Sequence, residues 1–293
     1  MSKEKILIND KWNLTEEFIG IEVLQTTDAP YHLASDEKDI RYLAEHWLDE
    51  KCEPLYVSYR DGIYRVIEGQ KRTLAAKMRF VSGKCLMCKV RRDLKTIEDE
   101  ARWFYEINHQ KRKFSEATEG FLSRQYFDDT WKYIVSCVKE SELNISYTSD
   151  RNDNYISCLT TLENIFNDFY YKDNIMSFSN MLLILHDSCM GASESLMANF
   201  MKGFAVFYRA YKNNIDEKIL KKCFVKEDKK TNKTFINIDS YKSRQENTKK
   251  FKDDYSKIGK AVAVSIRLIY NKTARIKDKQ LKLSAIEELD TTL

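Results

Sequence analysis

The run Ile63-Tyr-Arg-Val-Ile-Glu-Gly-Gln-Lys-Arg-Thr-Leu-Ala-Ala76 decides the fold of the first part of this 293-residue chain. Ile63–Ile67 is rich in β-formers and follows a similar run, Leu55-Tyr-Val-Ser-Tyr59, across Arg60-Asp-Gly62. An Asp-Gly pair between two such runs predicts a hairpin. Glu68-Gly69 ends the second strand, and Leu74, Ala75 and Met78 carry helical spacing through Gln70–Phe80. That helix opens on Gln70, Lys71 and Arg72. Cations in a first turn add to the positive end of the helix dipole, at a cost of about 0.3–1 kcal/mol each. Two adjacent ones either pair with acids elsewhere or hold an anion against the helix-start N–H groups. Gly69 lets the backbone turn tightly and approach a ligand.

Outward from this run the pattern stays α/β as far as residue 113. Gly20–Leu24 alternates like a half-buried strand, and Asp36–Asp49 has helical spacing through Ile40, Leu43, Ala44 and Trp47. Lys84–Val90 reads as a strand. Ile97–Asn108 reads as a helix, with Thr96 and Asp99 at its start as a capping pair. From Ser115 onward the period is helical. Helices are expected over Ser115–Asp128, Trp131–Lys139, Tyr155–Tyr170, Phe178–Ser188, Ser193–Lys212 and Ile215–Cys223, with a polar loop at Asn144–Asn154. Residues 226–250, rich in Lys, Asn, Thr and Asp, read as a charged linker or loop. An apolar stripe then runs through Phe251, Tyr255, Ile258, Val262, Ile266 and Ile269. It suits a core face of a bundle or, alternatively, a homodimer through the C-terminal helices. The expected fold class is α+β: a mixed α/β domain over 1–113, then an all-α domain over 114–293.

Composition narrows the function classes. Two prolines and eight glycines are too few for an all-β chain, and 43% hydrophobic residues suffice for a buried core. No uninterrupted apolar run exceeds five residues, so no membrane span is expected, and the first residues lack the apolar core of a secretory leader. Seven scattered cysteines suit reduced thiols in a cytoplasmic protein. Net charge is +4 but segregated: residues 1–59 carry −7, residues 60–113 carry +8 and residues 221–260 carry +7. The basic blocks suit an anionic partner, unless salt bridges between blocks cancel them.

With Asp61-Gly62, a strand, then Glu68-Gly69-Gln70-Lys71-Arg72 and a helix, the chain resembles the ParB/sulfiredoxin superfamily. The likeness is closest to its phage and mobile-element branch, which has Asp-Gly-Gln-His-Arg in this place. Lys84–Val90 takes the position of that family's next strand. Glu98-Asp-Glu-Ala-Arg-Trp-Phe-Tyr-Glu-Ile-Asn108, followed by Lys111-Arg-Lys113, resembles the branch's Glu-Ala…Phe…Asn helix. The resemblance spans about residues 15–115. It implies a turn that cradles the phosphates of a nucleotide, CTP or ATP, or contacts nucleic acid, in a phage or plasmid setting. By position Gly69 gives backbone approach, Arg72 the phosphate contact, and Gln70 and Lys71 flanking polar contacts. Glu68 stands where the branch has Asp, a candidate metal or water ligand and the one candidate catalytic residue. Asn108, Lys111, Arg112 and Lys113 are candidate nucleic-acid contacts. Sulfiredoxin has a cysteine where this chain has Gln70, so sulfenyl chemistry is excluded.

Other constellations are weaker. Cys85-Leu-Met-Cys88 has no second pair, and its members face opposite sides of a strand, so core thiols are expected and no metal site is assigned. Of four histidines, His109 is the one near the suspected site by sequence. Glu98, Asp99 and Glu100 read as helix N-terminal acids, and Trp103, Phe104 and Tyr105 as core. The leading reading is a ParB-like nucleotide- or DNA-binding protein. A metal-dependent nuclease or phosphohydrolase with Glu68 holding a divalent cation such as Mg is the second. A non-enzymatic interaction scaffold is the third.

Overall fold

Strand β1 (Leu14–Gly20) opens a five-stranded mixed sheet completed by β2 (Leu24–Gln25), β3 (Leu55–Arg60), β4 (Ile63–Glu68) and β5 (Cys85–Arg91), in the order β1-β5-β3-β4-β2. We describe a computed structural model covering residues 12–26, 29–109, 118–148, 151–228, 233–236, 258–274 and 280–293. The chain divides into two units, Met1–Asp129 and Thr130–Leu293. Mixed sheet first and helices after make the fold α+β, as the sequence predicts.

The β3–β4 hairpin forms where Asp61-Gly62 requires it. Both residues have positive φ, 57° and 77°, the mirror-image turn that matches strand twist. Strand β5 then pairs parallel to β3 and antiparallel to β1. Helices α1 (Glu37–Glu45) and α2 (Gln70–Arg79) pack together and cover one face of the sheet, and α3 (Ile97–His109) lies on the other. Val66 and Ile67 show the division. Successive strand residues point to opposite faces, and Val66 joins Leu55, Val57 and Val90 while Ile67 joins Trp103 and Phe104. Helix α3 starts as the sequence predicts: Asp99 N–H donates to Thr96 Oγ1 at 3.1 Å and Thr96 N–H to Asp99 Oδ2 at 3.0 Å. Helix α4 (Thr118–Phe127) packs on α3.

The structure corrects or refines four sequence expectations here. The strand expected at Gly20–Leu24 ends at Gly20 and begins at Leu14; residues 21–23 turn instead. Most of β1 is not buried and Phe18 is exposed, so it gives no alternation to read. Glu100 is not a solvated N-terminal acid. It is buried, accepting from Ser58 Oγ at 2.8 Å and Arg60 Nε at 3.0 Å. The charge blocks also meet, as the alternative reading of them allowed: Arg92 pairs with Glu17, Lys71 with Asp39 and Lys84 with Asp49, so three cations of the +8 block are paired with acids of the first 59 residues. Finally, Cys88 is buried as expected of a core thiol, but Cys85, on the opposite face of the strand, is exposed.

The second unit holds α5 (Asp129–Glu140), α6 (Leu159–Lys172), α7 (Ile175–Cys189), α8 (Ala198–Tyr211), α9 (Glu217–Phe224), α10 (Ile258–Ala274) and the short α11 (Ser284–Glu287). Tyr155–Ile156, read from sequence as the start of a helix, is a two-residue strand paired in parallel with Asn144–Ile145; α6 begins at Leu159. Within the stretch read as a linker, Val225–Asp228 pairs antiparallel with Lys233–Ile236. Residues 237–250, and Phe251 and Tyr255 of the apolar stripe, lie outside the described residues. Of the rest of that stripe, Ile258 is half-buried, and Val262, Ile266 and Ile269 are buried where α10 packs on α8, so these three are core and not a dimer seam. Among the described residues no helix is long and apolar enough to cross a membrane.

Candidate functional site

Gly69 joins β4 to α2 at φ 104° and ψ 22°, and no side chain caps the helix it opens. The first turn holds no acid. Its carbonyl is used inward, accepting from Thr73 N at 3.0 Å, so the helix is wound from its first residue. Any side chain at 69 would be strained at this φ, and a Cβ would sit 2.4 Å from Leu55 Cδ2. The far end of α2 is pinned by its own cations. Lys77 Nζ donates to the Leu24 carbonyl at 2.5 Å and Arg79 Nη1 to the Ala44 carbonyl at 2.8 Å. Cations belong at a helix C-terminus, so the helix is held with its N-terminal amides directed away from the anchor.

Those amides border a cavity of about 570 Å³ in the first unit. Its walls come from the segment His32–Asp36, Leu43 of α1, the turn Glu68–Arg72, Phe104 and Asn108 of α3, and Glu119 of α4. Five candidates adjacent in sequence (Glu68, Gly69, Gln70, Lys71 and Arg72) thus share one cavity with Asn108, 36 residues beyond Arg72. Asn108 Nδ2 donates to Glu68 Oε2 at 3.4 Å and to the Phe104 carbonyl at 2.9 Å, fixing one side of the carboxylate. Lys71 Nζ meets Asp39 Oδ2 at 2.5 Å, with both side chains half-exposed, so the pair is screened by water and easily exchanged. Arg72 donates to the Glu53 carbonyl oxygen, and among the described residues it makes no ion pair with a carboxylate, so its charge is oriented without being neutralised there. Lys111, Arg112 and Lys113 lie outside the described residues.

His32 was not legible as a site residue. It sits in the segment between β2 and α1, and nothing in its sequence neighbours marks it. In the fold its ring lies 4.1 Å from Phe104 and 5.0 Å from Tyr31, centroid to centroid. Burial pushes the imidazole pKa down from 6.5 to about 4, against the Glu68 charge and a backbone hydrogen bond with Ile67, so the ring is neutral at pH 7. Its Nε2, like Gln70 Nε2 on the same cavity wall, is buried without a hydrogen-bond partner among the described residues. Such orphaned atoms each cost roughly 1–3 kcal/mol. His109, which sequence proximity suggested, stacks on Tyr105 at 5.2 Å and is exposed; it does not line the cavity. Among the described residues no group of three or more His, Cys, Asp or Glu is arranged to hold a metal ion.

In this α+β domain an uncapped helix start thus opens on a cavity of mixed charge. A family model matches residues 29–283, and the chain belongs to that family, described as a family of unknown function (DUF6551). No curated protein matches. Among solved structures the chain is similar to the C-terminally truncated chromosome-partitioning protein ParB from Caulobacter crescentus complexed with CTP-gamma-S. The identity is 18% and the TM-score 0.24, over 43% of this chain and 78% of that one. A likeness of that size carries no argument for fold or function.

Proposed function

We propose that the first unit binds a nucleoside phosphate, such as CTP or ATP, with its phosphates against the helix-start amides of α2 and the side chains of Lys71 and Arg72. The observation that carries this reading is the uncapped turn at Gly69 opening into a cavity of about 570 Å³. Amides at a helix start, the dipole behind them and a guanidinium held by a backbone carbonyl together favour an oxyanion. The volume lies in the range of small-molecule sites, roughly 300–1,000 Å³. Gln70 adds a polar contact, and Glu68, steadied by Asn108, accepts hydrogen bonds from the hydroxyl or amino groups of the ligand. Asp36 and Glu119 also line the cavity beside Glu68, so the ligand's phosphates belong at the Lys71–Arg72 side and its neutral groups against the carboxylates. A long nucleic-acid backbone is less favoured, because Lys71, Lys84 and Arg92 of the basic block already pair with Asp39, Asp49 and Glu17.

The test is thermal unfolding of the full chain with CTP, ATP and a short DNA duplex, for the wild type and for Lys71→Ala/Arg72→Ala. A ligand at a hundred times its Kd adds about 2.7 kcal/mol of stability, which is readily measured. The expected result is stabilisation by a nucleotide that the double variant loses. A wild type indifferent to both nucleotides ends the proposal, and stabilisation by the duplex alone replaces it with nucleic-acid binding.

A further inference from the structure

We infer that His32 is a binding residue of this cavity: its Nε2 takes up a proton as a phosphate-bearing ligand enters, giving the site a third positive charge beside Lys71 and Arg72. The inference rests on the nucleoside-phosphate reading above and deepens it.

The ring lies against the Ile67 backbone, and its Nε2 is buried with no hydrogen-bond partner among the described residues. Neutral at pH 7, His32 lines the cavity with this Nε2 set back in its wall, unmatched among the described residues. A neutral imidazole held that way gains nothing from its second nitrogen. Protonation creates an N–H that can be matched to negative charge, and the ligand supplies that charge.

The surroundings set the direction. From β4 the facing charge is Glu68, which favours the protonated ring. The remaining cavity-lining carboxylates are Asp36, ahead of α1, and Glu119 of α4; α3 presents the Phe104 ring and the Asn108 amide. Within its own segment the neighbouring titratable group is the Tyr31 hydroxyl, which stays protonated and neutral. Against these stand Lys71 and Arg72 of α2. Without ligand, burial holds the ring neutral. A triphosphate brings several negative charges into a space poorly screened by water, where charge interactions are several times stronger than in bulk. The proton comes from the buffer acid, which keeps its electron pair as the conjugate base, and the Nε2 lone pair forms the new N–H bond.

Calorimetric titration of the full chain with CTP and with ATP, at about pH 6 in two buffers of different ionisation enthalpy, counts the protons taken up. Wild type is expected to take up a substantial fraction of one proton more than His32→Gln, because the variant cancels the ligand's own phosphate titration. The wild-type affinity is also expected to fall at least about threefold more than the variant's between pH 6 and pH 8. Binding with equal uptake in both proteins overturns this inference and leaves the nucleotide reading standing. Failure of both nucleotides to bind overturns both. Should His32→Gln not fold, ring ¹⁵N NMR of the wild type decides the matter. The His32 signals are expected to change from a neutral-imidazole pattern to imidazolium on adding CTP or ATP, and signals that stay neutral in the bound protein refute the assignment.

Discussion

Replacing Gly69 by alanine tests the bend on which the site depends. At φ 104° an L-residue is strained, at roughly 1–2 kcal/mol. The added methyl would meet Leu55 Cδ2 at 2.4 Å, and Leu55 is fully buried in the sheet core, so its side chain cannot swing clear. Overpacking of that kind costs about 1–3 kcal/mol. Together the loss should be about 2–5 kcal/mol. The same methyl would stand 3.1 Å from Arg72 Nη2 and 3.3 Å from Arg72 Cζ, so the guanidinium must shift and nucleotide affinity should fall as well. Urea unfolding followed by tryptophan fluorescence reads the effect, since three of the four tryptophans (Trp12, Trp47 and Trp103) lie in the first unit. Gly83→Ala is the control. Its φ is also positive, at 76°, but an added methyl meets nothing within 4 Å, so it should lose only the backbone part. A Gly69→Ala loss no larger than that of Gly83→Ala would refute the claim that Leu55 and Arg72 crowd this turn.

Other expectations follow from the same geometry. Arg72→Ala should weaken nucleotide binding by roughly ten- to a hundredfold, the worth of a charged hydrogen bond, while changing stability by no more than about 1 kcal/mol; calorimetry and urea unfolding separate the two. Glu100→Ala takes the buried partner from Ser58 and from Arg60, which keeps its exposed pair with Asp61, and should cost about 1.5–3 kcal/mol in urea unfolding. His32 makes stability depend on pH. Its folded pKa of about 4 lies below its unfolded value of 6.5, so the unfolded chain binds more protons between them. Stability is whole above about pH 6.5 and falls by up to about 3 kcal/mol as pH drops toward 4. The difference between wild-type and His32→Gln unfolding midpoints across that window measures it, and parallel curves would contradict it. In the second unit, buried Asp168 accepts from Arg209, from Thr291 Oγ1 at 2.7 Å and from Thr292 N at 3.0 Å. Asp168→Ala should speed hydrogen exchange of Thr292, and an unchanged rate would contradict this role.

What the sequence revealed was local. Asp61-Gly62 specifies its turn, Thr96 and Asp99 specify a helix start, and Glu68–Arg72 declares a misplaced pair of cations, because each depends on residues within a few positions. What it concealed was set by distant partners. Glu100 looks like a solvent-facing acid until Ser58 and Arg60, about forty residues earlier, enclose it. Strand β1 lacks an alternating pattern because it is the edge of the sheet and exposes Phe18. His32 gains its place only when α3 brings Phe104 against it. The charge blocks showed segregation but not that the fold would lay them against one another. Lys71 takes part in that cancellation through Asp39, whereas Arg72 does not, which makes Arg72 the stronger anchor of the two.

The most direct test of the anion site watches the amides themselves. In ¹H–¹⁵N spectra of the full chain titrated with CTP or ATP, the largest shifts should fall on Gly69, Gln70, Lys71 and Arg72, saturating together. Saturable binding that leaves those four amides unmoved would contradict the account at its centre.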